Sequence, residues 1–139
     1  MRISVAADER TGVADAVVAE VRRRGHEALV HGALADDERD DWAWASEAAA
    51  RDVADGRAEQ GIVACWTGTG ASMAANKVEG VRAALCADAE TARGARKWND
   101  ANVLALSLRL LSEALAEEVI GAFLGTTPDE SERVQIDRC

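Results

Sequence analysis

Five short apolar runs, separated by stretches of helical character, set the tightest limit on what this chain can fold into. Residues 3–7, 27–31, 60–65, 81–86 and 102–106 form the apolar runs, and each has strand length. Residues 13–24, 44–54, 71–77, 89–98 and 112–124 read as helices. In the first helix Val13, Val17, Val18 and Val21 recur at i, i+4, i+5 and i+8, one face of a 3.6-residue period. Gly25, Gly56 and Gly125 follow helices as stops, and Asp88 and Ser112 precede helices as N-caps. The run at 60–65 is apolar at nearly every position, as a strand buried on both faces requires. Strands alternating with helices make βαβ units, so the expected fold is α/β, a three-layer αβα sandwich around a five-stranded parallel sheet. Its crossovers are expected to be right-handed. Ligands of such sheets sit at the carboxyl ends of the strands, here the loops after the first, third and fifth. The tail, residues 126–139, is polar with no clear period and is expected to be irregular. No internal repeat, linker or second domain is visible, so residues 1–139 read as one domain.

Composition narrows the partners. Asp and Glu number 25 against 16 Lys and Arg, a net charge of −9. Such a surface repels nucleic acids and anionic membranes, so neither is expected as a partner. No apolar run approaches the roughly 18–20 residues that span a bilayer, and Met1 leads directly into a strand-like run without a signal-peptide pattern. Cys65, Cys86 and Cys139 are odd in number and widely spaced, which makes neither a disulfide framework nor a zinc pattern. A reducing cytoplasm is the expected compartment, with no metal and no cofactor.

The segment from Cys65 to Lys77 is the strongest local signal. A buried strand ends on a thiol, turns through Gly68-Thr69-Gly70 and enters a helix. Glycines there let the backbone approach a ligand, and the free N–H groups at a helix start attract an anion. A cysteine beside a helix N-terminus is easier to ionise and can act as base or nucleophile. The plainer reading is a strand-end cysteine before an ordinary βα turn. The third glycine of a dinucleotide fingerprint and the Gly-Lys-Ser/Thr of a P-loop are both missing, which argues against a nucleotide site.

This stretch resembles the Cys-Gly-Thr-Gly-x-Gly-x-Ser-x-Ala-Ala-Asn-Lys segment of the ribose-5-phosphate isomerase B / galactose-6-phosphate isomerase family. The likeness continues through residues 81–86, Thr91-Ala92-Arg93 and residues 99–106. Asp8 fits the first member of the family's Asp-His pair, and residues 40–45 loosely fit its Asp-Tyr-Pro-Asp-Tyr/Phe-Ala segment. The resemblance implies a flavodoxin-like sandwich and a homodimer whose active sites combine residues of both subunits. It implies cofactor-independent aldose–ketose isomerisation of a sugar or sugar phosphate through a cis-enediolate. Cys65 would be the base and Thr67 a proton relay. The N–H groups of Thr69, Gly70, Ala71 and Ser72, after the Gly68 turn, would hold the enediolate oxygen, with the Asn99 amide assisting.

Three departures stand against that pattern. Glu9 occupies the place of the family's first-loop histidine, and Trp98 that of the histidine thought to open the sugar ring. Of the tail's two phosphate-binding arginines, Arg133 matches the second while Asp129 replaces the first. Arg109 matches a further basic position after the fifth strand. The expected substrate is therefore not ribose 5-phosphate, and one that is already open-chain would need no ring-opening histidine. Asp8, Glu9, Trp98, Arg109 and Arg133 remain candidate substrate contacts. Glu9 also reads as a solvated loop carboxylate. Trp66 and Trp98 read either as core or dimer-interface packing or as platforms for a sugar face. Trp42 and Trp44 are expected under the second helix or at the dimer contact. His26 and His31 read as structural or surface residues, Cys86 as an inert buried thiol, Cys139 as a terminal thiol without a role, and residues 36–41 as a solvated loop. Two further functions stay open: a non-catalytic sugar-binding relative, and an epimerase on the same enediolate machinery.

Overall fold

The computed structural model describes residues 1–139. The elements are β1 (Arg2–Ala7), α1 (Gly12–Arg23), β2 (Glu27–Gly32), α2 (Trp42–Ala54), β3 (Gln60–Cys65), α3 (Thr69–Asn76), β4 (Ala83–Leu85), α4 (Ala89–Asn99), β5 (Val103–Ser107) and α5 (Glu113–Leu124). A 3₁₀ turn (Glu130–Glu132) and the short α6 (Arg133–Ile136) follow. All four strand pairings are parallel, in the order β2-β1-β3-β5-β4. The sandwich is thus as expected, with the last two strands exchanged relative to the flavodoxin order.

Strand pleating sorts the core into two layers, because successive side chains point to opposite faces. Ile3, Val5, Ala7, Ile62, Ala64, Leu104 and Leu106 pack with α1, α4 and α5 around the fully buried Phe123. Ala6, Val63, Cys65, Val103 and Ala105 pack with α2 and α3. The second layer is built almost wholly of alanine and valine, so α2 and α3 lie close to the sheet. Gly61 sits in that layer, where an added Cβ would meet Val53 and Val103 at 3.2 and 3.3 Å.

Helix starts follow the capping residues. Thr11 accepts from the Ala14 N–H, Asp88 from Thr91 and Ser112 from Leu115, at 3.1, 2.7 and 3.0 Å. Each accepts an N–H that the helix itself leaves unpaired.

Three expectations change. The fourth strand is shorter than residues 81–86, because the Asn102 side chain takes the backbone before it: its Oδ1 accepts from the Arg82 N–H at 2.7 Å and its Nδ2 donates to the Gly80 carbonyl at 2.9 Å. The second helix starts at Trp42 rather than at residue 44. The tail is ordered: the Asp129 N–H donates to the Lys97 carbonyl at 2.8 Å, Asp129 caps the 3₁₀ turn through Ser131, and Ile136 is buried.

Candidate active site

β1 leads outward through α1 to β2, and the chain then returns to place β3 on the other side of β1. The carboxyl ends of β1 and β3 therefore flank the switch point, where the two following loops diverge and leave a crevice. Asp8 follows β1 there, and Cys65 ends β3. Cys65 is 5% exposed and faces α2 and α3.

The turn above Cys65 is shaped by Gly68, which lies at φ +77 and N-caps α3 without a side-chain cap. A Cβ at Gly68 would fall 2.8 Å from the Leu106 carbonyl, so only glycine fits both the conformation and the space. The N–H groups of Thr69, Gly70 and Ala71 have no backbone acceptor, whereas the Ser72 N–H donates to the Gly68 carbonyl at 3.0 Å. The start of α3 thus offers three free N–H donors, and of Ser72 only the hydroxyl remains free. The Thr67 and Thr69 hydroxyls, on either side of Gly68, lie 2.8 Å apart. The Trp42 ring lies against Gly70, where a built Cβ would meet it at 2.9 Å.

Asp8 brings an unusual carboxyl to this edge. Its Oδ1 is buried and has no hydrogen-bond partner. Burial pushes the carboxyl above its ordinary range, and the charges of Glu9 and Asp40 push the same way, against a backbone hydrogen bond that lowers it. A buried acceptor without a donor is costly unless a ligand supplies one. Glu9 itself is exposed and makes no hydrogen bond.

Beyond β3, a concavity of about 330 Å³ is lined by Thr67, Leu85, Cys86, Ser107, Arg109 and Leu110. Arg109 is exposed and forms no ion pair, unlike most arginines here. Ser107, paired with Cys65 at the end of β5, donates to the Trp66 carbonyl at 2.9 Å and fixes the strand-end loop; no sequence feature marked it. Cys86 is buried, and its thiol is pushed up to about 11 by burial and by Asp88.

Trp98, Asn99 and Arg133 are not at this edge. Residues Gly61 and Val103 pair at the amino end of the sheet and Cys65 and Ser107 at the carboxyl end. Four residues of strand, about 13 Å at 3.3 Å each, separate the two ends, and Asn99 precedes Val103. There Trp98 and Asn99 line a separate concavity of about 470 Å³ with Ala84, Thr91 and Gly94. Arg133 binds Glu130, Asp100 and Asp137 at 3.2, 3.5 and 3.9 Å. Asp100, held at φ +46, also takes Arg96 at 3.0 Å and Arg82 at 3.4 Å. The core reading of the tryptophans is corrected: Trp66 is 57% and Trp98 54% exposed, because both stand on loop or helix-end positions outside the two buried layers. Trp42 and Trp44 are half-exposed on α2, with Arg39 stacked 4.3 Å over the Trp44 ring. The larger groove along α4 and α5, about 490 Å³, contains none of the candidate residues, and its Arg24 and Arg93 are paired with Glu20 and Glu90.

No group of three or more His, Cys, Asp or Glu is arranged to hold a metal ion, and no helix is long and apolar enough to cross a membrane. All three cysteines are free thiols.

The chain is similar in sequence and in fold to known sugar-phosphate isomerases. A D-erythrulose-4-phosphate isomerase of Pectobacterium atrosepticum is 49% identical over 72 residues, 52% of this chain and 47% of the relative. Galactose-6-phosphate isomerase subunit LacB of Clostridium acetobutylicum is 40% identical over 104 residues, 75% of this chain and 60% of the relative. The matches thus span about half of the length of these curated relatives. Ribose-5-phosphate isomerase B of Clostridium thermocellum superposes with a TM-score of 0.91 at 30% identity, over 99% of this chain and 94% of that one. The Ribose/Galactose Isomerase family model matches residues 3–138, and the chain belongs to that family.

Proposed function

We propose that the chain is an aldose–ketose isomerase acting on a sugar phosphate through a cis-enediolate, with Cys65 as the base. The observation that carries this is the nearly buried thiol at the end of β3, beside three unpaired N–H donors at the start of α3. Moving a proton between adjacent carbons needs a base beside the carbon and donors beside the oxygen that gains charge. Preorganised donors at such an oxygen contribute about 3 kcal/mol each. Thr67 relays the oxygen protons, Asp8 accepts a substrate hydroxyl at its unpartnered Oδ1, and Arg109 takes the phosphate. The relatives are named for substrates of different length, so membership of the family leaves the substrate open. The absence of a histidine at the site disfavours ribose 5-phosphate.

Trp98, Asn99 and Arg133 reach such a site only from a second copy, because in one chain they lie at the opposite edge of the sheet. The proposal therefore includes a homodimer with a shared site, in the reducing cytoplasm that three free thiols suit.

The test is proton NMR in D₂O with a panel of aldose and ketose phosphates. Deuterium entering C1 or C2 reports enolisation even where the equilibrium is unfavourable. Cys65→Ser is expected to keep the fold and lose about 10² to 10⁴ in rate, the usual worth of a positioned acid–base group. Undiminished turnover by the pure variant removes Cys65 from the mechanism.

A further inference from the structure

We infer that the substrate is a four-carbon sugar 4-phosphate, a molecule that cannot close into a ring; this rests on the isomerase reading above and narrows it. Proton transfer between C1 and C2 needs a free carbonyl. A pentose 5-phosphate or hexose 6-phosphate rests mainly as a five- or six-membered ring. Opening it requires a group that takes the anomeric hydroxyl proton and another that gives a proton to the ring oxygen. In a tetrose 4-phosphate the only hydroxyl able to close a five-membered ring is esterified, so the carbonyl stays in the open-chain form.

No histidine stands at the site to open a ring. The chain contains two histidines, so no second copy can add a third. His26 lies at the amino edge of the sheet, its Nδ1 3.0 Å from the Met1 amino group. His31 has both ring nitrogens on carboxylates, Nε2 on Asp52 at 2.6 Å and Nδ1 on Glu38 at 3.1 Å. At the site, Cys65 is committed to the carbon-bound proton. That leaves three carboxyls gathered at the end of β1, Asp8 and Glu9 with the charge of Asp40 close by, and no histidine to work opposite them.

Charge and space point to the same short chain. Arg109 is a guanidinium free of any ion pair, and it lines the concavity that Thr67 lines, beside the reacting end. Arg133, which would serve a phosphate on a longer chain, is surrounded by three carboxylates. Trp42 against Gly70 and the half-exposed Trp66 next to Cys65 place indoles beside the α3 donors. The reaction balances within the substrate. Cys65 takes the proton from C2 and returns it to C1, while the hydroxyl proton passes from O2 to O1. The two sugars are isomers, and no electron acceptor or co-reactant is needed.

The test uses racemic erythrulose 4-phosphate, which is the ketose of every aldotetrose 4-phosphate, alongside ribose 5-phosphate and galactose 6-phosphate, each in D₂O with the wild-type chain. The expected result is deuterium at C1 of the tetrulose phosphate with kcat/KM at least 100-fold above either ring-forming sugar. Equal or faster turnover of ribose 5-phosphate or galactose 6-phosphate overturns the four-carbon assignment and leaves the isomerase reading standing. No exchange on any of the three sugars overturns both.

Discussion

Asp52 Oδ2 lies 2.6 Å from His31 Nε2, and the same carboxylate accepts from Arg57 Nε at 2.7 Å and from the Ser4 hydroxyl at 2.8 Å. Asp52 is 6% exposed, so its charge is held by these three donors rather than by water. The network ties the end of α2 to β1 and β2. Burial raises the carboxyl, but the hydrogen bonds from Arg57, His31 and Ser4 outweigh it and hold Asp52 below its ordinary range. A folded-state value below the unfolded one gives stability that is complete above the unfolded value, near 3.9. That stability is lost as pH falls through the lower folded value. Urea melts from pH 7 downward should show it disappearing below about pH 4. Asp52→Ala should lose about 3 kcal/mol at pH 7, by stranding His31 and Ser4, and its stability should change less through the acid range. An acid limb identical to wild type would show that Asp52 is not the titrating group.

Gly70 and Trp42 form a second coupled pair. A Cβ at residue 70 would stand 2.9 to 3.2 Å from three atoms of the indole. Gly70→Ala should push the ring aside and disturb the donors beneath it, with about a tenfold loss in kcat/KM. Truncating the indole removes the obstruction, so the Trp42→Ala background should mask most of that loss. Double-mutant cycles on contacting residues typically give couplings of about 0.5–3 kcal/mol. Strict additivity of the two changes would mean that the ring and the turn are independent.

Arg109 can be separated from catalysis by its choice of substrate. Charge-assisted hydrogen bonds are worth about 1.5–3 kcal/mol, so Arg109→Gln should raise KM for a phosphorylated sugar by roughly 10- to 150-fold while kcat changes little. The same sugar without its phosphate should be turned over equally by variant and wild type. A parallel loss on both substrates would place Arg109 in the chemistry instead.

The alternation of strands and helices was legible because the three central strands, β1, β3 and β5, are buried nearly throughout, and burial writes itself into apolar runs; the edge strands β2 and β4 are only partly buried. The caps Asp88 and Ser112 were legible for the same local reason: one side chain accepts an N–H three residues on. What depends on side chains from distant segments was not. Asn102 cuts β4 short from 20 residues away. The last turn of chain is held by one buried residue, Ile136, together with Arg133 on Asp100, a pattern too sparse to carry a period. The thiol and glycine turn could be read as a unit because they are contiguous. That Ser72 already spends its N–H on Gly68, and that Asp8 keeps an unpaired oxygen, are properties of folded geometry alone.

Trp98 decides whether the two edges of the sheet work together. Its ring packs on Gly94 one helical turn earlier, where a Cβ would come within 2.8 Å, and Lys97 sits 5.8 Å from the ring centre. That packing leaves 54% of the residue exposed. A tryptophan held in place yet uncovered, beside an Asn99 amide without a partner, suits an interface core, where aromatic side chains are enriched. If a second copy brings this edge over Cys65, Trp98→Asp puts a charge where apolar area was to be buried. Dimer dissociation and loss of activity should then appear together, with partial recovery of activity at high protein concentration. Sedimentation velocity across a concentration series, read beside the rate at each concentration, makes the comparison. A wild type that sediments as a monomer at micromolar concentration while fully active would refute the shared site and leave Trp98 an isolated surface residue.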